Sequence, residues 1–380
     1  MTTSINFRGP FRFSAAVMLR ILYGHSTTTL QNDRFATRVF QSATTFASSL
    51  APGKFLVDIL PWLRYVPNWV PGAGWKSQAM AWQESDRKLY TELVETARLN
   101  AGKQPSFVSE GLSENGSGYG VNEEELAYIA GTSSQTLDTI MSTLSTLFLA
   151  LTAHTDVLTR AQGEIDKVIG RSRWPTFADY EQLPYVVALV REVCRWRPVA
   201  PLSVPHASTK DDIYDGWFIP KGTTVISAIW YRENFPYCLR SFTDSPRRSI
   251  HHDPLVYPEP ESFKPERFLS ETGTLIGTEE SKERGHHMFG FGRRMCPGAL
   301  MSEHILFTFT ACVLWAFDIY PALDADSRER PPAIDPMQFS SGGEASHPLP
   351  FECRILLRAG VQAFLDDVPL PDEEGTVSFT

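Results

Sequence analysis

The chain has 380 residues, enough for one large domain or two ordinary ones. Its 42% hydrophobic and 21% charged content is that of a globular body, and its net charge of −9 argues against nucleic acid as a main partner. The five cysteines (194, 238, 296, 312 and 353) are odd in number and form no CxxC pair, which excludes a disulfide framework and fits a reducing compartment.

The opening residues lack the pattern of a leader peptide or a membrane span, because the first apolar stretch, 11–23, is cut by Arg12 and Arg20. Residues 11–24 read as an amphipathic helix with Val17, Leu19, Ile21 and Leu22 as core contacts, and 30–50 as a second helix. Over 51–73 proline recurs too often for a long helix. The Trp, Leu and Ile content there suits either a lid packed on its own core or a surface dipping into a membrane. Residues 75–100 form another helix, and Gly111 to Gly120 is a Gly/Ser-rich acidic loop. Asn122 with Glu125 three positions on is a capping-box pattern. A long helix follows, with Leu126, Ile129, Thr136, Ile140, Leu144, Leu147 and Leu151 at helical spacing.

Residues 154–170 give a helix ended by Gly170, and Pro184 to Trp196 one ended by Arg197-Pro198. Residues 213–229 read as strand, turn, strand with Pro220-Lys221-Gly222 at the turn. Residues 250–270 are Pro-rich and irregular, a helix covers about 298–317, and Phe351 to Arg358 alternates as a strand. The fold class is mainly α with a small β portion. No repeat or linker divides the chain, so 1–380 is expected as a single domain with a tail at 365–380.

The most specific chemistry lies in Phe289-Gly290-Phe291-Gly292-Arg293-Arg294-Met295-Cys296-Pro297-Gly298, just before an apolar helix. Gly292 allows the loop to turn where a Cβ is strained. The first amides after Cys296 lack intrahelical partners and can stabilise a thiolate. Arg294 suits an anionic group and Phe289 can cover the sulfur. Such a thiolate can hold a haem iron and favour O–O cleavage. The plainer readings are a buried thiol beside a helix cap, or a metal cluster with His286 and His287, whose spacing fits no usual zinc pattern. Glu192 and Arg195, spaced i, i+3, share a helix face and can pair.

The cysteine loop resembles the F-x-x-G-x-R-x-C-x-G loop of cytochromes P450, with every named position filled. The resemblance runs from about residue 10 to 360, and implies the P450 fold lacking its N-terminal part, with haem as cofactor. It implies Cys296 as axial thiolate to the iron, with Arg294, and His206 in Val204-Pro205-His206-Ala207-Ser208-Thr209, on the haem propionates. Glu192-Val193-Cys194-Arg195 is similar to the family's E-x-x-R, and Arg267 in Pro265-Glu266-Arg267-Phe268 to its third partner, a structural triad beneath the cysteine loop. Asp138 and Thr139 match the acid–alcohol pair that delivers protons on the oxygen side. A hydroxyl bonded back to a helix carbonyl is the plainer role for Thr139, and a plain strand-end histidine that for His206.

The implied activity is monooxygenation of a hydrophobic small molecule, in a pattern closest to fungal secondary metabolism. Residues 199–206 and 346–350 would line the substrate pocket by family position. The implied partner is NADPH-cytochrome P450 reductase docking near Arg293 and Arg294, and the implied location the endoplasmic reticulum membrane. With no membrane anchor seen, a cytoplasm-facing or soluble chain is the alternative, and 51–73 is the candidate membrane contact. Gln135 and Thr136 replace the small residues usual before the acid–alcohol pair. The family's membrane anchor, first strands and early helices have no counterpart. Residues Tyr231 to Arg248 read as an insertion, since Trp230 joined to Ser249 restores a smooth family segment; translated intron sequence is the expected origin, and a genuine surface loop the alternative. Two other functions remain open: a non-catalytic or unstable haem-binding remnant, and a haem-free helical interaction protein.

Overall fold

The computed structural model describes residues 2–5, 8–26, 33–49, 54–113, 120–134, 137–230, 249–276, 285–335, 339–340 and 345–367. Two compact units divide the chain: Met1–Ile5 with Ser142–Phe364, and Asn6–Met141 with Leu365–Thr380. The described residues are mainly helical with small antiparallel sheets, as expected from the sequence. The 231–248 segment, Cys238, Gln135, Thr136 and residues 368–380 lie outside the described residues.

In the unit that begins at Asn6, helices α1 (Arg8–Tyr23), α2 (Arg34–Ser49), α4 (Gly74–Asn100), α5 (Phe107–Leu112) and α6 (Glu123–Ser134) pack together. On α1 the buried stripe is Ala15, Met18, Leu19 and Leu22, spaced i, i+3, i+4, i+7. Ile21 falls off that stripe and is 41% exposed, contrary to the sequence reading. Asp33 caps α2 by accepting from the amides of Phe35 and Ala36 at 2.8 and 3.0 Å. Gly131 on α6 is required by its neighbour, because a Cβ there would meet the Tyr90 ring at 2.5 Å. The Asn122–Glu125 capping box forms, with bonds of 2.8 and 2.9 Å in its two directions. Ile129 is 44% exposed and is not on the buried face. Helix α5, absent from the sequence reading, starts from a second box between Ser106 and Ser109. The stretch 54–73 is broken into a single turn α3 (Leu56–Ile59) and a 3-10 turn (Pro61–Tyr65), as its prolines require.

In the unit of Met1–Ile5 and Ser142–Phe364, α7 (Leu137–Ala153, whose first residues belong to the unit that begins at Asn6), α8 (Thr155–Val168), α9 (Pro184–Trp196) and α10 (Ala299–Ala316) carry the core. Proline at the first position starts α9, and its residues are buried all round except Pro184 and Arg191. Gly170 closes α8 at φ +66° and donates to Ile165 O at 3.3 Å. Strand β6 (Phe317–Leu323) follows α10 without a break and was not read from the sequence. It pairs antiparallel with β8 (Phe351–Leu357), in a sheet ordered β1 (Thr2–Ile5), β8, β6, β7 (Glu329–Arg330). Strand β2 (His206–Ala207) pairs with β5 (Thr224–Val225), and β3 (Asp212–Tyr214) with β4 (Trp217–Ile219).

The turn at Pro220-Lys221-Gly222 forms between β4 and β5, with Thr223 N donating to Pro220 O at 3.2 Å, and the hairpin β3–β4 adds a turn at Asp215-Gly216 that was not read from the sequence. Asp215 at φ 50° and Gly216 at φ 78° supply the two positive angles of a type I′ turn. Among the described residues, two helical stretches are long and apolar enough to cross a membrane, Glu123–Ala153, which runs over residues 135 and 136, and Ala299–Ala316; their apolar windows are 82% and 56% buried in protein.

Candidate functional site

The loop before α10 is built by two left-handed glycines, Gly290 at φ 80° and Gly292 at φ 61°. Between them and the helix lies a 3-10 turn, Gly292–Arg294. The Cys296 amide donates back to Phe289 O at 2.9 Å, closing the loop, and Ala299 donates to Cys296 O at 3.3 Å as the helix begins. A Cβ on Gly298 would stand 3.8 Å from the Cys296 sulfur, so the glycine leaves one side of Sγ bare backbone. Cys296 is half-buried, while Phe291 and Met295 expose apolar surface beside it. Arg293 and Arg294 are exposed and pair with no carboxylate among the described residues. Phe289 is half-buried and its ring lies 5.7 Å from that of His286.

A buried charged cluster forms on α9 and the 3-10 turn Pro265–Phe268. Arg195 donates to both oxygens of Glu192, Nε at 2.7 Å and Nη2 at 2.9 Å, and both residues are fully buried. Arg267 Nε lies 3.1 and 3.2 Å from the same two oxygens. The Lys264 amide adds a further bond to Glu192 at 2.7 Å. The remaining guanidinium donors go to backbone carbonyls: Arg195 to His251 and Ser262, Arg267 to Pro258, Glu259 and Ser262. Every charge is thus both paired and hydrogen-bonded, the condition on which such burial is tolerable. Burial, with the Arg195 charge beside it, holds the Arg267 guanidinium below its ordinary value, and Glu192 opposes this only in part.

The segment 285–291 joins the cluster to the cysteine. Tyr257 Oη donates to Gly285 O at 2.9 Å, and the His287 amide donates to His251 Nε2 at 2.8 Å. Gly285 is at φ 73°, and a Cβ there would strike the Phe268 ring at 2.6 Å. His251 is a site residue that sequence reasoning missed. Its sequence setting, His251-His252-Asp253-Pro254, showed two adjacent histidines and gave no sign of which one is buried.

The other sequence candidates fall in different places. His206 is exposed at the start of β2, paired in register with Val225. Asp138 is half-buried and Thr139 exposed on the first turn of α7, in the unit that begins at Asn6, whereas Cys296 belongs to the other. The segments 199–206 and 346–350 are joined by the Ser346 amide, which donates to Val199 O at 2.7 Å, and both present exposed apolar side chains at Val204 and Leu349. Burial pushes up the thiols of Cys194, Cys312 and Cys353, the last two to about 11, so these remain protonated core groups. No group of three His, Cys, Asp or Glu suited to a metal occurs among the described residues. A soft sulfur donor, apolar surface beside it and a guanidinium without an ion partner fit an iron porphyrin with carboxylate arms.

Comparison with known proteins gives the same direction. The family model "Cytochrome P450" matches residues 8–236 and 246–340, with a break inside the 231–248 segment. The chain is 40% identical over 352 residues to cytochrome P450 monooxygenase 208 of Postia placenta, covering 91% of this chain and 62% of that protein. It is 34% identical over 360 residues to cytochrome P450 monooxygenase 58 of the same fungus, covering 94% and 63%. Cytochrome P450 monooxygenase claR of Ampulloclitocybe clavipes is 35% identical over 352 residues, covering 91% and 60%. The chain thus spans less than two thirds of the length of these relatives.

Proposed function

The chain belongs to the cytochrome P450 family, and from that premise we propose that it is a haem-thiolate monooxygenase acting on a hydrophobic small molecule in fungal secondary metabolism. The observation that carries this reading is the closed loop at Cys296, with its amide on Phe289 O, its glycines at positive φ and its support on the Glu192 cluster. Bound haem would supply O₂ activation, with two electrons and two protons consumed, one oxygen atom placed in the substrate and the other leaving as water.

The residues of the chain divide the remaining work. Cys296 gives the axial thiolate, and the bare backbone at Gly298 keeps its sulfur accessible on one side. Arg294 and His206 hold the carboxylate arms. Asp138 and Thr139 pass protons from water toward the oxygen side. Glu192, Arg195 and Arg267 keep the loop's foundation fixed. The segments 199–206 and 346–350 give an apolar substrate wall, supported by the exposed Val204 and Leu349. NADPH-cytochrome P450 reductase is the electron donor, docking by the exposed Arg293 side. The exposed aromatics of 54–73 rest on the endoplasmic reticulum surface.

The test is the spectrum of the chain expressed with a haem supply, reduced and treated with carbon monoxide. A Soret band at the thiolate position is expected. A band typical of histidine or neutral-thiol ligation would indicate a haem-binding remnant, and no pigment a haem-free interaction protein.

A further inference from the structure

Resting on the haem-thiolate reading above, we propose that His251 is a positioning residue for Cys296, clamping the backbone ahead of the cysteine loop to helix α9. His251 is fully buried and both its ring nitrogens are engaged. Nδ1 lies 3.0 Å from the Arg195 carbonyl, which can only accept, so Nδ1 carries the hydrogen. Nε2 lies 2.8 Å from the His287 amide, which can only donate, so Nε2 presents its lone pair. One neutral tautomer satisfies both bonds, and a protonated ring would lose the second. The groups facing the ring agree: Arg195 from α9, and His286 and His287 from the loop, each disfavour a positive charge there, and the Tyr257 ring packs at 6.1 Å. The His251 carbonyl also accepts from Arg195 Nη1 at 2.8 Å, so the residue grips α9 by backbone and side chain together. Beyond His287 the bonding continues toward the sulfur, from Gly290 N to His287 O at 3.0 Å and from Cys296 N to Phe289 O at 2.9 Å.

Two substitutions separate the two bonds. His251→Asn keeps a donor near the Nδ1 position and loses the acceptor for His287. His251→Gln keeps an acceptor near the Nε2 position and loses the donor to Arg195. Amide hydrogen exchange across 285–296, followed by mass spectrometry on the purified full chain, needs no haem. Exchange in this segment is expected to rise at least about tenfold in His251→Asn and to stay near the parent rate in His251→Gln. In the haem-loaded protein only His251→Asn should move the carbon monoxide band away from the thiolate position. Equal exchange in parent and His251→Asn overturns the proposal. So does rapid exchange of the His287 amide in the unaltered chain, a result that needs no variant to fold. If the parent shows no thiolate band while the exchange pattern holds, it is the haem-thiolate reading that fails and the clamp that stands.

Independently, we infer that residues 231–248 are dispensable for the fold, because the chain on either side of them is bonded directly to itself. Ile250 N donates to Ala228 O at 3.0 Å, and His251 N to Ile229 O at 2.9 Å. The two bonds hold Ala228 and Ile229 against Ile250 and His251 across the segment. The break in the family match falls inside the same segment. His251 makes the second of these bonds, so the meeting of the flanks bears on the clamp above. The test is the full chain with 231–248 deleted. A thermal midpoint at least as high as the parent's is expected; a lower midpoint, or loss of soluble protein, overturns the inference.

Discussion

Among the side chains, the glycine bend ahead of Cys296 was the most legible feature, because it is a local pattern, and Gly292 takes the positive φ that the pattern implies. Replacing Cys296 by serine is expected to remove the thiolate band and most of the bound haem, checked by the reduced carbon monoxide spectrum and by iron content. The role of His251 was not legible, because it depends on two backbone partners distant in sequence, Arg195 and His287. Its protonation has a consequence for acid stability. Burial first, then His286, Arg195 and His287, hold its ring well below the usual imidazole range, and burial does the same at His154 and His252. In the unfolded chain these rings take up protons below about pH 6.5. The unfolded state then binds more protons than the folded one, so stability present above that pH is lost below it. The denaturant midpoint is expected to be flat from about pH 7 to 8 and to fall between about pH 6.5 and 5, by at most about 1.4 kcal/mol per unit for the fully buried His251. His251→Gln should flatten that slope. Asp179, held at about 2 chiefly by Arg173, acts in the same sense only at lower pH.

Local chemistry also decides which elements were legible. Helix α9 was read at its true bounds because proline opens it and Arg197-Pro198 closes it. The Pro220-Lys221-Gly222 turn was read correctly, and the Asp215-Gly216 turn of β3–β4 was missed because its flanking strands are only three residues each. Strand β6 was invisible because no breaker separates it from α10, and its pairing with β8 is a long-range fact. The Glu192 cluster shows how elements depend on one charge: it ties α9 to the 3-10 turn Pro265–Phe268 through Arg195, Lys264 and Arg267. Glu192→Ala would leave two buried guanidinium groups without a counter-charge. The expected loss is about 3–5 kcal/mol, measured by denaturant unfolding. Arg267→Lys keeps a charge but cannot reach the Pro258, Glu259 and Ser262 carbonyls together, and should cost about 1–3 kcal/mol.

At the scale of the whole molecule, exposed surface and chain continuity carry the remaining predictions. Trp62 is 60% and Trp69 83% exposed in the 54–73 stretch, with Leu56 and Tyr65 exposed nearby and Lys54, Arg64 and Lys76 flanking them. Aromatic and basic groups together suit an anionic bilayer surface. The double variant Trp62→Ser/Trp69→Ser is expected to weaken binding to phosphatidylserine-containing vesicles by about tenfold or more, in a sedimentation assay at fixed salt. Continuity is the sharper case. The segment 231–248 is eighteen residues, a whole number of codons, so its removal keeps the downstream frame that encodes Cys296. The flanks are bonded to each other at Ala228–Ile250 and Ile229–His251, so the chain on either side already meets without the segment. If the segment is unspliced intron, most mature messages should join the codon for Trp230 directly to that for Ser249. Sequencing the transcript decides between the two origins: reads that retain codons 231–248 in most messages would make the segment a genuine surface loop, one that leaves Ala228 and Ile229 bonded to Ile250 and His251 despite its length.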